Sequence, residues 1–470
     1  MNPFLAIVAL AVSHTYYVNP GGSDANDGLT PEKPWKTVAK VNATAFAPGD
    51  QILFARGGNW RESLKASSSG AAGKPIVYAA YGDGTAKPTF WGSEILNNAN
   101  FKAGGTCPIS SSVAAVLANH EFLKPDSWSW ANNTLTITGA DPGMDGRVYT
   151  ACVRVDPVHS NGKDHLIFRD LKTDESADAR DGYGFRVMGS DDVWLEDCEA
   201  WHAGRHHFGT INSTHFTGLR LRCASAMPNC PGGATFYVSY SDASRKGDTH
   251  QWIDCTGSNF ENPGQRSYQI FYNHGEGLGP ILIQNMISHG GMLSCGSSAN
   301  APVTIKGGSV EDATLEVFGD HAHVDGLTVK GNGGIDNFSS DGLFENLLIL
   351  VEPKNGGPTG YGSGVLMRES AKRNTVRFST ILIGDGPCVK VLAANSQTRL
   401  AGNILLSKKQ PFDGEVMAEQ NFTAGNPMLG PDFAPLPGSP VIGAAKIESP
   451  ANDHARHNRP SPASVGAFEP

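Results

Sequence analysis

The sequence predicts an all-β chain wound as a right-handed parallel β-helix, a solenoid with a short capping helix at its N-terminal end. Three observations carry this expectation. A short apolar run, a small turn and a second short strand recur between Asp164 and Lys408, and aligning Leu171, Cys198, Cys223, Cys255 and Met286 gives spacings of 27, 25, 32 and 31 residues. Such periods belong to solenoids and arrays. No segment sustains the 3.6-residue apolar period that helical repeats need, and the runs are bounded by Gly, Asn, Asp and Ser. Finally, hydrophobic residues make up only 39% of the chain while glycine supplies 56 of 470 residues, as a thin core with many tight turns requires.

The first-strand copies run from Leu166–Leu171 through Val193–Cys198, Leu219–Cys223, Trp252–Cys255 and Ile281–Met286, and continue as weaker copies to Leu400–Ile404. Stacked at the strand spacing of ~4.8 Å, Cys198, Cys223 and Cys255 would form an inward cysteine ladder. Cys223 with Cys230, or Cys107 with Cys152, are alternative pairings in an oxidising compartment. The divisions expected are 1–13 as an export leader, 14–163 as an N-terminal cap and first coils with an irregular insertion, 164–408 as regular coils, and 409–470 as a proline-rich cap over the C-terminal end. Residues 1–13 have the length of a signal-peptide apolar region but no Lys or Arg. Within 30–41, Trp35, Val38 and Val41 share one face of a short amphipathic helix placed to plug the open solenoid end. Trp128-Ser129-Trp130 and Leu135-Thr136-Ile137 read as a hairpin, its tryptophans either packed on the barrel wall or turned to sugar.

A net charge of −9 argues against a nucleic-acid partner, and no run is long enough to span a membrane. A monomer is expected.

The segment from Tyr17-Val18 to Gly28, with Pro34-Trp35-Lys36-Thr37, Pro48-Gly49-Asp50 and Gly73 to Gly82, resembles the N-terminal region of secreted β-helix proteins of the pectate-lyase-like superfamily. Gly438-Ser439-Pro440-Val441-Ile442-Gly443 and Val465-Gly466-Ala467-Phe468-Glu469 resemble the C-terminal end of such chains. The resemblance covers both ends and implies a secreted or periplasmic carbohydrate-active protein. That superfamily holds hydrolases, lyases, epimerases and non-catalytic adhesins, so chemistry has to come from residues.

Long inserts flank the second strand of several coils, at 226–233, 241–248, 258–266, 274–279 and 352–362, and long loops on a repeat scaffold wall its binding face. With alternating side chains, Phe185, Phe208, Phe236, Leu315 and Ile335 point inward, while Arg186, Tyr237, Glu316, Asp336 and Arg368 line a groove floor. Glu316 and Asp336 fall on consecutive coils, about 5 Å apart by strand spacing, a separation suited to glycoside hydrolysis with one carboxyl pushed up in pKa. Two solvated surface charges are the competing reading. His206 and His207, in the run Trp201–His207, offer acid–base chemistry near neutral pH, with polar turn residues as the alternative. Lys246 and Arg266, near Arg245, Asp248 and Glu261, offer the base and cation that β-elimination of a uronate needs. The candidate catalytic set is therefore Glu316, Asp336 and His207, with Arg186, His206, Tyr237, Lys246, Arg266 and Arg368 binding a polysaccharide. No cofactor is called for; the Asp-rich calcium motif of some β-helix lyases is absent, and calcium is the one metal the superfamily leaves open. Hydrolysis ranks first, elimination second and a carbohydrate-binding module without chemistry third.

Overall fold

A computed structural model of the chain describes residues 13–102, 104–142, 144–177, 181–226, 233–240, 249–258, 269–275, 279–296, 302–352 and 362–470. The chain is a right-handed parallel β-helix, and its described residues form three long parallel sheets of 14, 12 and 12 strands. Each regular coil visits all three, for example through Leu166–Arg169, Lys172–Asp174 and Tyr183–Met188. The sequence expectation of two strands per coil is corrected to three. The first and second strands are separated by so short a corner that Leu166–Leu171 reads as one run although it bends around the barrel.

That corner has a fixed form. Among the described residues, eleven successive coils, from Asp170 to Gln420, turn between the first and second sheets at a positive-φ corner, a single residue in ten of them, including Asp197, Asp254, Asn285, Asn346 and Gly402, and the pair Gly307–Gly308 in the other. A left-handed residue with a Cβ costs roughly 1–2 kcal/mol, least for Asn and Asp. Its amide is satisfied by the next coil: Asp170 N donates to Glu196 O, Asp197 N to Leu219 O and Asn285 N to Lys306 O, each at 2.9 Å. Asn285 Nδ2 also donates to Asp254 Oδ1 of the preceding coil at 2.9 Å.

In the first five of these coils the residue after the corner is buried in the core: Leu171, Cys198, Leu221, Cys255 and Met286. The cysteine ladder is thereby corrected. Leu221 stands between Cys198 and Cys255, and Cys223 pairs with Ala200 and Gly257 in the second sheet. Cys107, Cys152, Cys198, Cys223 and Cys255 are all free and buried, and Cys230 lies outside the described residues. Burial pushes the Cys198 thiol up to about 12, as for a small apolar side chain.

The helix spans Val38–Ala43, shorter than the pattern predicts. Pro34 and the extended N-cap Thr37 delay its start, and Thr37 accepts the Lys40 amide at 3.0 Å. Val38, Val41 and Trp35 are buried in the main core. Asn42 treats the edge strand Leu64–Lys65 as a neighbouring strand would: its Oδ1 accepts Lys65 N at 2.9 Å and its Nδ2 donates to Ser63 O at 2.8 Å.

Residues 93–152 leave the coils to form two small antiparallel sheets, one containing the hairpin Trp128–Ala131 with Thr134–Ile137. Trp128 and Trp130 pack against this insertion's own core, around Leu135, Ile137 and Tyr149, and not against the barrel wall. The C-terminal segment is also relocated. It runs back along the flank of the barrel, where Val441, Ala445, Ala463 and Val465 pack on Phe378 and Ile404. The leader read at residues 1–13 falls almost wholly outside the described residues. No helix among the described residues is long and apolar enough to cross a membrane.

If left-handed corners hold the coils, Asn285→Ala should lower unfolding stability by about 1 kcal/mol or more, whereas Asn285→Gly should be close to neutral. Urea denaturation of both variants checks this, and equal losses would refute it.

Candidate active site

Along the third sheet the outward position of each coil falls in one register column: Lys65, His159, Arg186, Gly209, Tyr237, Tyr272, Ser294, Glu316, Asp336, Leu366, Lys390 and Asp413. The neighbouring inward column, Phe185, Phe208, Phe236, Phe271, Leu293, Leu315 and Ile335, is buried. An apolar ladder therefore fixes the register on which the polar stripe stands.

Glu316 and Asp336 are direct register neighbours, with Cα atoms about one strand spacing, ~4.8 Å, apart. Their surroundings differ. Asp336 is nearly enclosed, and Arg368 grips it with two bonds, Nε to Oδ1 at 2.7 Å and Nη2 to Oδ2 at 2.5 Å. Glu316 is half-buried and accepts one hydrogen bond, from Ser294 Oγ at 3.1 Å. Burial pushes the Glu316 carboxyl above its usual range and the Asp336 charge adds to that, outweighing the opposing effects of Ser294 and Arg368. Arg368 itself does not occupy the register position opposite Asp336, which is held by Leu366. It follows the strand Val365–Met367 and reaches back one coil, its guanidinium also lying 5.0 Å from the Phe338 ring centroid. Phe338 stacks on Phe318 at 4.5 Å, giving a half-buried aromatic pair beside the carboxylates.

Further along the third sheet, Tyr183, His206, Tyr237 and Tyr272 form a ladder of rings with successive centroid separations of 4.9, 4.1 and 6.0 Å. Gly209 is required here, because a side chain at that position would collide with the Tyr183 ring. His206 is buried, and its Nδ1 lies 3.0 Å from the Ala234 amide nitrogen and 3.2 Å from the Ala234 carbonyl oxygen. Burial pushes its pKa down to about 3, leaving a neutral ring at neutral pH. The expectation of acid–base work by the histidines is corrected on this ground for His206 and on burial for His207, which has no exposed surface. His202 turns to the second sheet and contacts Asp174 at 2.7 Å. Arg186 holds Asp156 at 3.1 Å and Asp181 at 3.2 Å. Lys246, Arg266, Arg245, Asp248 and Glu261 lie outside the described residues, as do most of the inserts read as groove walls.

Sequence reasoning missed Tyr272, Ser294, Phe318 and Phe338. The strand Met292–Cys295 is short and interrupts the expected apolar run with Ser294, yet its Leu293 and Cys295 alternate inward as the pattern demands. Among the described residues no group of three or more His, Cys, Asp or Glu is arranged to hold a metal ion.

No family model matches the chain. One stretch of 74 residues, 15% of the chain, is 39% identical to a lacto-N-biosidase of Bifidobacterium longum subsp. longum, and it spans only 5% of that protein's length. Among solved structures, the xylose complex of XylC aligns over 97% of this chain and 98% of its own, with a TM-score of 0.49 and 11% identity. A pectate lyase aligns over 98% and 97%, with a TM-score of 0.43 and 14% identity. A lacto-N-biosidase from Eubacterium ramulus aligns over 87% and 68%, with a TM-score of 0.37 and 14% identity. Likeness at these identities does not reach to substrate or to catalytic residues.

The Glu316 environment favours the protonated carboxyl, so the cost of ionising it in the folded state grows as pH rises from the ordinary glutamate range through the raised pKa. Glu316→Gln should therefore raise the melting temperature at pH 8, and that gain should shrink as the pH approaches 4. Calorimetric scans across this range check it; a gain that does not depend on pH would contradict the assignment.

Proposed function

We propose that this chain is a glycoside hydrolase acting on a polysaccharide laid in the groove over the third sheet, with Glu316 as the general acid. One observation carries the reading: two carboxyl groups on adjacent coils are held in opposite ways. Asp336 is clamped by Arg368, while Glu316 keeps a single hydroxyl donor and a raised pKa. A pair of carboxyl groups with divergent surroundings is the usual arrangement for acid catalysis of glycosidic cleavage.

In this mechanism Glu316 gives its proton to the bridging oxygen as the bond from that oxygen to the anomeric carbon breaks. Positive charge develops on the departing sugar ring, and the Asp336 carboxylate stabilises it through its field. Water then adds its oxygen to the anomeric carbon, and its proton restores Glu316. The products are two saturated sugars, one with a new reducing end. Asp336 is too enclosed to attack the anomeric carbon itself, which departs from the simplest two-carboxylate scheme. Phe318 and Phe338 offer an apolar surface beside the reacting bond.

Elimination is the rival, and it demands a cation free to neutralise a uronate. Among the described residues, Arg186 and Arg368 are both engaged by carboxylates, which favours hydrolysis of a neutral sugar on this part of the sheet, while Lys246 and Arg266 lie outside the described residues. Purified protein incubated with neutral and uronic-acid polysaccharides should release reducing ends with no new ultraviolet absorbance. Glu316→Gln should reduce kcat by about 10²–10⁴ and abolish the alkaline fall in rate set by this carboxyl. Asp336→Asn should slow the reaction and keep that fall, moved to lower pH by the loss of the neighbouring charge. Unsaturated, ultraviolet-absorbing products would replace this reading with elimination, and silence on a broad panel would leave a binding module.

A further inference from the structure

The groove does not end at the carboxylate pair. Five coils toward the N-terminus, about 24 Å away at ~4.8 Å per coil, a second polar cluster stands on the same face. Arg186 donates Nη1 to Asp156 Oδ2 at 3.1 Å and Nη2 to Asp181 Oδ2 at 3.2 Å, and its guanidinium lies 5.0 Å from the Tyr183 ring centroid. His159 is the register neighbour of Arg186 on the preceding coil. Its Nδ1 accepts the Asn161 amide at 2.7 Å, which puts its proton on Nε2, and burial with the nearby Arg186 and Lys65 lowers its pKa to about 4.

As a structural salt bridge this cluster is poorly made. Asp156 Oδ1 and Arg186 Nε are both buried with no hydrogen-bond partner, where a closed ion-pair network would satisfy them. Its charges nearly cancel, two carboxylates against Arg186 and the more distant Lys65. It nonetheless combines donors (His159 Nε2–H and Arg186) with carboxylate acceptors on one half-exposed patch. Between this patch and Glu316, the rings of His206, Tyr237 and Tyr272 spend their faces on one another. His206 is buried, so what the ladder leaves to a ligand are the edges of Tyr237 and Tyr272, carrying hydroxyls.

We propose that Asp156, His159 and Arg186 form a distal subsite for a neutral, hydroxyl-rich sugar ring. The chain it binds lies along the helix axis and extends over the ring ladder to Glu316. This rests on the hydrolase reading and deepens it: the substrate is an uncharged chain of several rings, recognised at one end by mixed donors and acceptors and along its length by hydrogen bonds to ring edges.

Calorimetric titration of Glu316→Gln protein with cello-, xylo-, laminari- and malto-oligosaccharides of two to eight rings tests it. Affinity should rise with length in at least one series and level off once the chain spans both ends of the groove. Adding Arg186→Lys or Asp156→Asn to the Glu316→Gln protein should weaken binding of the longest chains about tenfold, the effect of losing one charged hydrogen bond, and leave two-ring binding unchanged. Melting curves of each variant separate this from misfolding, and the conservative Arg186→Lys keeps the charge if Asp156→Asn is unstable. Binding independent of length, equal weakening at all lengths, or no binding in any neutral series would overturn the subsite. Should Glu316→Gln cleave these sugars as fast as the native protein, the catalytic reading falls, while the length series still reports on the distal end.

Discussion

Everything in this molecule depends on a turn one residue wide. Between the first and second sheets the chain changes direction at a left-handed corner on eleven successive coils from Asp170 to Gln420, and only at Gly307–Gly308 does the corner take two such residues. Neither a helix nor a hairpin forms there, because the corner amide is already promised to a carbonyl of the next coil. Repeating the corner at one height per coil stacks the strands in register, and register decides which side chains meet solvent. Glu316 and Asp336 are neighbours only because the corners that precede them, Gly307 and Gly326, are equivalent.

On that scaffold, small chemical differences separate like groups. Two carboxyls one strand apart would ordinarily share a solvated surface and behave alike. Here the side chain of Arg368, projected back from the following coil, takes one of them entirely, and the serine of the preceding coil gives the other a single weak donor. The same logic keeps His206 and His159 neutral: burial shields both rings, and the His159 Nδ1 is occupied by the Asn161 amide, so His159 presents a fixed N–H and not a proton shuttle.

How much of this was legible in the sequence follows from the length scale of each feature. The architecture was, because apolar alternation and turn residues repeat every coil and errors average out. The adjacency of Glu316 and Asp336 was too, since both sit one residue after an inward aliphatic, Leu315 and Ile335. The second sheet was hidden by the corner, whose single residue leaves no gap in the apolar run. Cys223 misled the alignment because a cysteine two positions away outweighed Leu221, the true occupant of the column. Burial of His206 depends on the tight stacking of Tyr183 and Tyr237 and on the absence of a side chain at Gly209, contacts between coils that no local pattern announces.

The C-terminal segment alters the mechanics of the whole. In a plain solenoid each coil touches only its neighbours, so opening can start at an end and travel inward one rung at a time. Here Arg456 reaches Asp325, His454 contacts Thr328 and donates to Asn346 O, Ala467 N bonds Thr380 Oγ1, and Gly466 N bonds Gly402 O. One strap thus crosses four consecutive coils and couples rungs that are not adjacent. Those coils open together or not at all, and the Asp336–Arg368 clamp lies among them. The strap converts the clamp-bearing end of a one-dimensional stack into a single cooperative block.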